Sequence, residues 1–164
     1  MSDPRFVGPI DRLLYLRTLP QLAGISTREL TALARQAQEI ELRRGDPLMR
    51  RGEPVTHFYV IVSGKISVFR EGREIITCGG GDNVGAIPAL ARTTPPFDAR
   101  AMTDTVLLGF PIEGMLAAME ENFHLLQNVI RNVAAYHLEI QPHIVAGSRR
   151  APWTGEAVAL PDRP

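Results

Sequence analysis

The stretch with most scope for chemistry is Gly80-Gly81-Asp82-Asn83-Val84-Gly85-Ala86-Ile87-Pro88-Ala89-Leu90, together with the loop that follows it to Ala101. Glycines at a strand end, leading into a short apolar turn of helix, can offer backbone N–H groups to an anion such as phosphate. They serve equally as plain turn formers. A cation would complete such a site, and Arg92 lies in the loop close enough to swing toward an anion, or to remain a solvated loop charge. Strand alternation places Phe97, Ala99 and Ala101 on one apolar face, so Asp98 and Arg100 share the other as a surface pair.

Other chemistries find little support. The four histidines, His57, His124, His137 and His143, share no spacing suited to a metal inside a barrel. There is no Gly-x-Ser-x-Gly, Walker loop or His-Glu-x-x-His. Cys78 ends the apolar run Ile75-Ile76-Thr77-Cys78 and is expected to be a small packing residue rather than a nucleophile. The expectation is therefore a non-enzyme with no catalytic residue, no metal and no cofactor.

Bulk properties narrow the partners. The 18 basic residues balance the 18 acidic ones, so no overall field draws the chain to nucleic acid or to an anionic membrane. One cysteine forms no internal disulfide, which makes the cytoplasm the expected location. No apolar run reaches the ~20 residues needed to cross a bilayer.

The elements that must position the glycine-rich loop form three zones. Residues 10–38 are expected to be helical, broken at Pro20 and restarted by a Ser26/Glu29 capping box ahead of the stripe Leu30, Leu33, Ala34, Ala37. Residues 39–110 switch to period two with glycine turns: Ile40 and Leu42; Phe58, Val60 and Val62; Ile66 and Val68; Ile75 and Thr77; Val106, Leu108 and Phe110. Such spacing marks an all-β sandwich or barrel. The third zone predicts one short helix on Ile112, Met115, Leu116 and Met119, then a second from Phe123 to about Ile140 capped by Asn122. In the second, Leu126, Val129, Val133, Tyr136 and Ile140 step by three and four, as a dimer or partner seam would, or as a face packed on the barrel. Residues 142–164 are proline-rich and aperiodic and are expected to be a flexible tail, with Trp153 a candidate anchor for its own domain or for a partner. The expected division is thus an extension at 1–9, a domain at 10–141 and the tail.

The order of these motifs resembles the cyclic-nucleotide-binding domain family, in the form of the effector domain of CRP-like regulators. The resemblance runs from about Leu13 to Ile140. It rests on Leu13-Leu14-Tyr15-Leu16-Arg17-Thr18-Leu19-Pro20, Leu42-Arg43-Arg44-Gly45-Asp46, Arg51-Gly52-Glu53-Pro54, Phe58 through Val68, Gly81-Asp82-Asn83-Val84-Gly85 and Ala101-Met102-Thr103-Asp104. It implies a mainly β fold with flanking helices: an eight-stranded antiparallel jelly-roll barrel with an N-terminal helical segment and two C-terminal helices. Many relatives carry a helix-turn-helix beyond the last helix. The 24 residues after Ile140 are too broken for one, so no direct contact with nucleic acid is expected.

The departures from the family pattern carry the functional expectation. Members that bind cyclic nucleotides place a Glu directly after the glycine matching Gly85 and an Arg near the loop's end, with Ala two residues later. Here those positions are Ala86, Pro95 and Phe97. Losing two charge-assisted contacts at ~1.5–3 kcal/mol each weakens binding by roughly two to four decades. The expected pocket, Gly85, Ala86, Ile87, Ala89, Leu90, Arg92, Pro95 and Phe97, is thus vestigial, with Phe97 filling part of it. Ala86→Glu with Pro95→Arg and Phe97→Ala is expected to restore it. The expected function is a regulatory module or subunit acting through protein–protein contacts, with a larger partner or with itself as a homodimer. The alternative is a stand-alone sensor switch for cAMP, cGMP or a dinucleotide.

Overall fold

The computed structural model describes residues 8–131 together with Ala134 and Ala135. Helix α1 (Pro9–Thr18) opens on a proline, whose missing N–H is harmless at a first helical position. Pro20 ends it, and the chain makes a single 3-10 turn over Pro20–Leu22. Helix α2 (Thr27–Gln36) starts on the expected capping box. The Ser26 hydroxyl accepts the Glu29 N–H at 3.3 Å, and the Glu29 carboxylate accepts the Ser26 N–H at 3.0 Å. The apolar stripe of α2 buries Leu30, Leu33 and Ala34. The helical zone closes two residues sooner than expected, because Gln38 already pairs with Gly109.

Eight strands follow: β1 (Gln38–Leu42), β2 (Pro47–Met49), β3 (His57–Ser63), β4 (Ile66–Arg70), β5 (Arg73–Cys78), β6 (Asn83–Val84), β7 (Asp98–Ala101) and β8 (Thr105–Pro111). Helix α3 (Ala86–Leu90) lies between β6 and β7, and α4 (Ile112–Glu121) follows β8. The strands form two antiparallel four-stranded sheets, ordered β1-β8-β3-β6 and β2-β7-β4-β5. This is the mainly β, helix-flanked jelly-roll architecture that the resemblance implied.

Two cores divide the work. Ile61, Ile66, Val68, Cys78, Ala99 and Leu107 pack between the sheets. On the outer face of the first sheet, Phe58, Val60, Leu108 and Phe110 meet Leu16, Leu33, Met115 and Leu125 from the helices. The Phe58 and Phe110 rings stack with centroids 5.1 Å apart. Strand β8 is therefore covered on both sides, and Thr105 through Phe110 are all buried. The alternating set Val106, Leu108, Phe110 is only half of its apolar content.

In β5 the inward residues are Ile76 and Cys78, not the Ile75 and Thr77 set that the alternation picked out. Thr77 faces outward, where its hydroxyl meets that of the fully buried Ser67 at 2.6 Å. A bulge opposite Val68 and Phe69 shifts the register, which period-two counting cannot foresee.

Side chains lock the helices to the sheet. The Tyr15 hydroxyl donates to the Ile61 carbonyl at 2.9 Å, and Arg12 Nη1 donates to the Ala37 carbonyl at 2.7 Å. After α4, the Asn122 side-chain oxygen accepts the Leu125 N–H at 3.0 Å, capping helical residues 123–131 as expected. Its amide also donates to both oxygens of Glu29, at 2.6 and 2.7 Å. One asparagine thus joins the last helix to the first turn of α2.

Asn122→Ala is expected to cost about 1–2 kcal/mol, since cap and cross-link go together. The Ser26 hydroxyl, and then the Asn122 amide, hold the Glu29 carboxyl below its ordinary value. A depressed folded-state value means stability that is present above the ordinary carboxylate range and lost as pH falls through the folded value. Thermal melts should therefore show the wild-type advantage over Asn122→Ala shrinking in acid. A gap independent of pH would leave the Glu29 link without energetic weight.

The helical start at Phe123 lies within the described residues, whereas Val133, Tyr136, Ile140, His137, His143, Trp153 and residues 142–164 lie outside them. Leu126 and Val129 are half-buried against the chain's own helical core, so this part of the stepped stripe takes the packing role. Beside the stripe, Leu125 is fully buried, and the exposed apolar residues of this stretch are Phe123 at 68% and Ile130 at 59%. The outward face is thus rotated from the one the three–four stepping selected.

Candidate functional site

Strand β6 hands the chain to α3 through Gly85, whose φ of +87° lies in the left-handed region. A Cβ there would sit 3.1 Å from Met49 Sδ and 3.4 Å from the His57 carbonyl oxygen, so both conformation and space call for glycine. The Ala89 N–H then bonds the Gly85 carbonyl at 3.1 Å, and α3 runs for barely more than a turn. The following loop folds back by a Thr93 N–H to Pro88 carbonyl bond at 3.0 Å.

Behind α3 and this loop lies a cavity of about 300 Å³. Val68 and Cys78 form one wall, the segment from Asn83 to Pro88 another, and Thr93, Pro96 and Phe97 the third. No charged side chain lines it. A smaller cavity of about 90 Å³ lies toward the helices, among Leu16, Phe58, Phe110, Met115 and Val129. The two share Asn83, Ala86 and Ile87.

Of the eight residues expected to form the pocket, Gly85, Ala86, Ile87 and Phe97 line the larger cavity. The other four do not. Ala89 is buried in the helical core and Leu90 lines the smaller cavity, because one turn of helix presents these positions to the opposite side. Arg92, at φ +50°, turns outward to Glu113 at 3.4 Å; the two side chains are 69% and 74% exposed, so this pair adds little stability. Pro95 is fully buried, and its carbonyl accepts the Gly52 N–H at 3.0 Å. Phe97 is half-buried and forms wall rather than filling, since the cavity persists beside it.

The sequence reading missed Val68, Cys78, Asn83, Val84, Pro88, Thr93 and Pro96 as lining residues. Inward alternation in β4 signals Val68, but the bulge hides the register of Cys78, and nothing local marks Thr93 or Pro96. Cys78 is 6% exposed; burial first, and then the Asp82 carboxylate, push its thiol up to about 11. It stays protonated at neutral pH, as a packing residue would. Asp98 and Arg100 do share the exposed face of β7. They are not a pair, however: Asp98 accepts the Arg51 N–H at 3.0 Å, and the Arg100 guanidinium lies 4.1 Å over the Phe69 ring.

Among the described residues, no group of three or more His, Cys, Asp or Glu side chains is placed to hold a metal ion. None of the described helices is long and apolar enough to cross a membrane.

The family model described as "Cyclic nucleotide-binding domain" matches residues 39–122, just over half of the chain. An uncharacterised protein of Mycobacterium tuberculosis is 33% identical over 70 residues, which is 43% of this chain; the chain spans 14% of that protein's length. The solved catabolite activator protein of Thermus thermophilus is 25% identical, with a TM-score of 0.67 over 77% of this chain and 62% of its own. The regulatory subunit of a cAMP-independent protein kinase A from Trypanosoma brucei shares the fold at 23% identity. Its TM-score is 0.64, over 75% of this chain and 48% of that one. Strand order, glycine-led α3 and the matched span agree: the chain belongs to the cyclic nucleotide-binding domain family.

Proposed function

We propose that this domain is a non-enzymatic regulatory module that does not hold cAMP or cGMP tightly and works through contacts with other proteins. The family fold supports the regulatory part. The absence of any charged side chain from the lining of the 300 Å³ cavity supports the rest. A cyclic phosphate placed there would lose its water and gain no countercharge, which is costly. The place of Arg92, outside the lining and beside Glu113 at the surface, supports the same reading.

Exposed apolar side chains supply contact area: Ile10 and Leu14 on α1, and Phe123 and Ile130 on the last helical stretch. A second copy or a larger partner covers them in this reading, in the cytoplasm. Residues 10–141 act as the module and 142–164 as its tail. Co-purification with and without residues 142–164 separates the tail from the domain as the anchoring part.

The second reading, a stand-alone switch for cyclic mono- or dinucleotides, draws its support from the persistence of the cavity. A thermal-shift series with cAMP, cGMP and cyclic dinucleotides decides between them. Ligand at a hundredfold its dissociation constant stabilises by about 2.7 kcal/mol, which moves the midpoint of a chain this size by several degrees. We expect no shift at millimolar ligand; a shift of several degrees establishes the switch.

A further inference from the structure

We propose that the cavity behind α3 receives an uncharged, largely apolar ring compound whose hydrogen-bonding groups meet Asn83 and Thr93 at the rim. This rests on the reading that the site has given up cyclic nucleotides, and it names what the remaining space accepts. Its volume, about 300 Å³, stands at the small end of ligand pockets, whereas the 90 Å³ cavity falls well short of that range.

The wall chemistry selects the guest. Val68, Val84, Ala86, Ile87 and Pro96 are aliphatic, and Phe97 adds an aromatic ring against which a flat guest can pack. Space walled this way offers few partners to water, so an apolar guest gains by entering it. The charged groups nearest in the chain lie outside the lining: Arg92 is at the surface beside Glu113, Asp98 accepts the Arg51 N–H at 3.0 Å, Arg100 lies over Phe69, and the Asp82 carboxylate accepts the Gly79 N–H at 2.8 Å. An anion or a cation would therefore enter unpaired. Asn83 and Thr93, both exposed, leave an amide and a hydroxyl at the opening, enough to orient one end of a neutral molecule. Cys78 lines this cavity and not the smaller one.

That last fact supplies the test, because Cys78 is the chain's single cysteine. The full chain is titrated with the neutral fluorophore N-phenyl-1-naphthylamine while alkylation of Cys78 by N-ethylmaleimide is followed by mass spectrometry. We expect saturable fluorescence enhancement and alkylation slowed about tenfold at saturation, because a guest seated against Cys78 blocks the reagent's approach to the thiol. Thr93→Trp, a change at an exposed rim position that leaves the core untouched, should weaken the probe about tenfold by lidding the opening.

No enhancement, or enhancement without protection of Cys78, overturns the inference; in the second case the probe lodges elsewhere. Full affinity in Thr93→Trp overturns it as well. If neither the probe nor cAMP binds, the inference falls and the loss of cyclic nucleotide stands. If cAMP protects Cys78, both fall together.

Discussion

Replacing Gly64 with alanine is expected to lower the free energy of unfolding by about 2–5 kcal/mol. Gly64 turns the chain between β3 and β4 with φ at +89°. An L side chain in that region costs about 1–2 kcal/mol in conformation alone. The added Cβ would also sit 2.5 Å from the Asp104 carbonyl oxygen and from Thr105 Oγ1, and 2.7 Å from Thr105 Cα. Two of those three atoms are backbone at the start of β8. The hydroxyl is held as well, since Thr105 Oγ1 accepts the Lys65 N–H at 3.2 Å. Nothing can yield cheaply, so overpacking adds a further ~1–3 kcal/mol. Gly45→Ala is the control. Its φ is +92° and nothing lies within 4 Å of its Cβ position, so it should show only the conformational part. Urea unfolding of both variants decides the matter; equal losses would remove the contact contribution.

Pro95→Arg is expected to cost about 3–5 kcal/mol and to bring no cyclic-nucleotide affinity, with or without Ala86→Glu and Phe97→Ala. The family pattern suggested that an arginine here would face the ligand. Pro95 is instead fully buried, tied to Gly52, and absent from the cavity wall. A guanidinium placed there is left without a partner inside the protein. Its bulk strains the turn after β2, and loss of the proline ring loosens the unfolded chain. Calorimetry with cAMP and a denaturation curve on each variant test both halves. Micromolar cAMP binding with unchanged stability would show that position 95 still faces the site.

The contrast between these two positions shows what sequence makes legible. Turn glycines, the Ser26/Glu29 box, the Asn122 cap and the apolar stripes are local signals whose physics acts over a few residues, and they appear where expected. The order of motifs carried the architecture. The orientation of the loop after α3 was not legible, because Arg92 and Pro95 take their directions from contacts with Glu113 and Gly52, 21 and 43 positions away in the chain. The bulge in the β4–β5 pair likewise moved Cys78 into the wall without any nearby sign. The family pattern marked the charges that this sequence lacks; only packing shows that space remained.

The doubly covered β8 has a consequence for how the molecule assembles. It pairs with β1 on one side and β3 on the other, joining Gln38 to Gly109 and Phe58 to Phe110. The first strand made must therefore wait some seventy residues for β8, its one ladder partner among the described strands. Until then its edge is open, and closing so long a loop slows the search. A nascent or truncated chain ending before Thr105 exposes two unmatched edges at once, and self-association through them is its most direct fate.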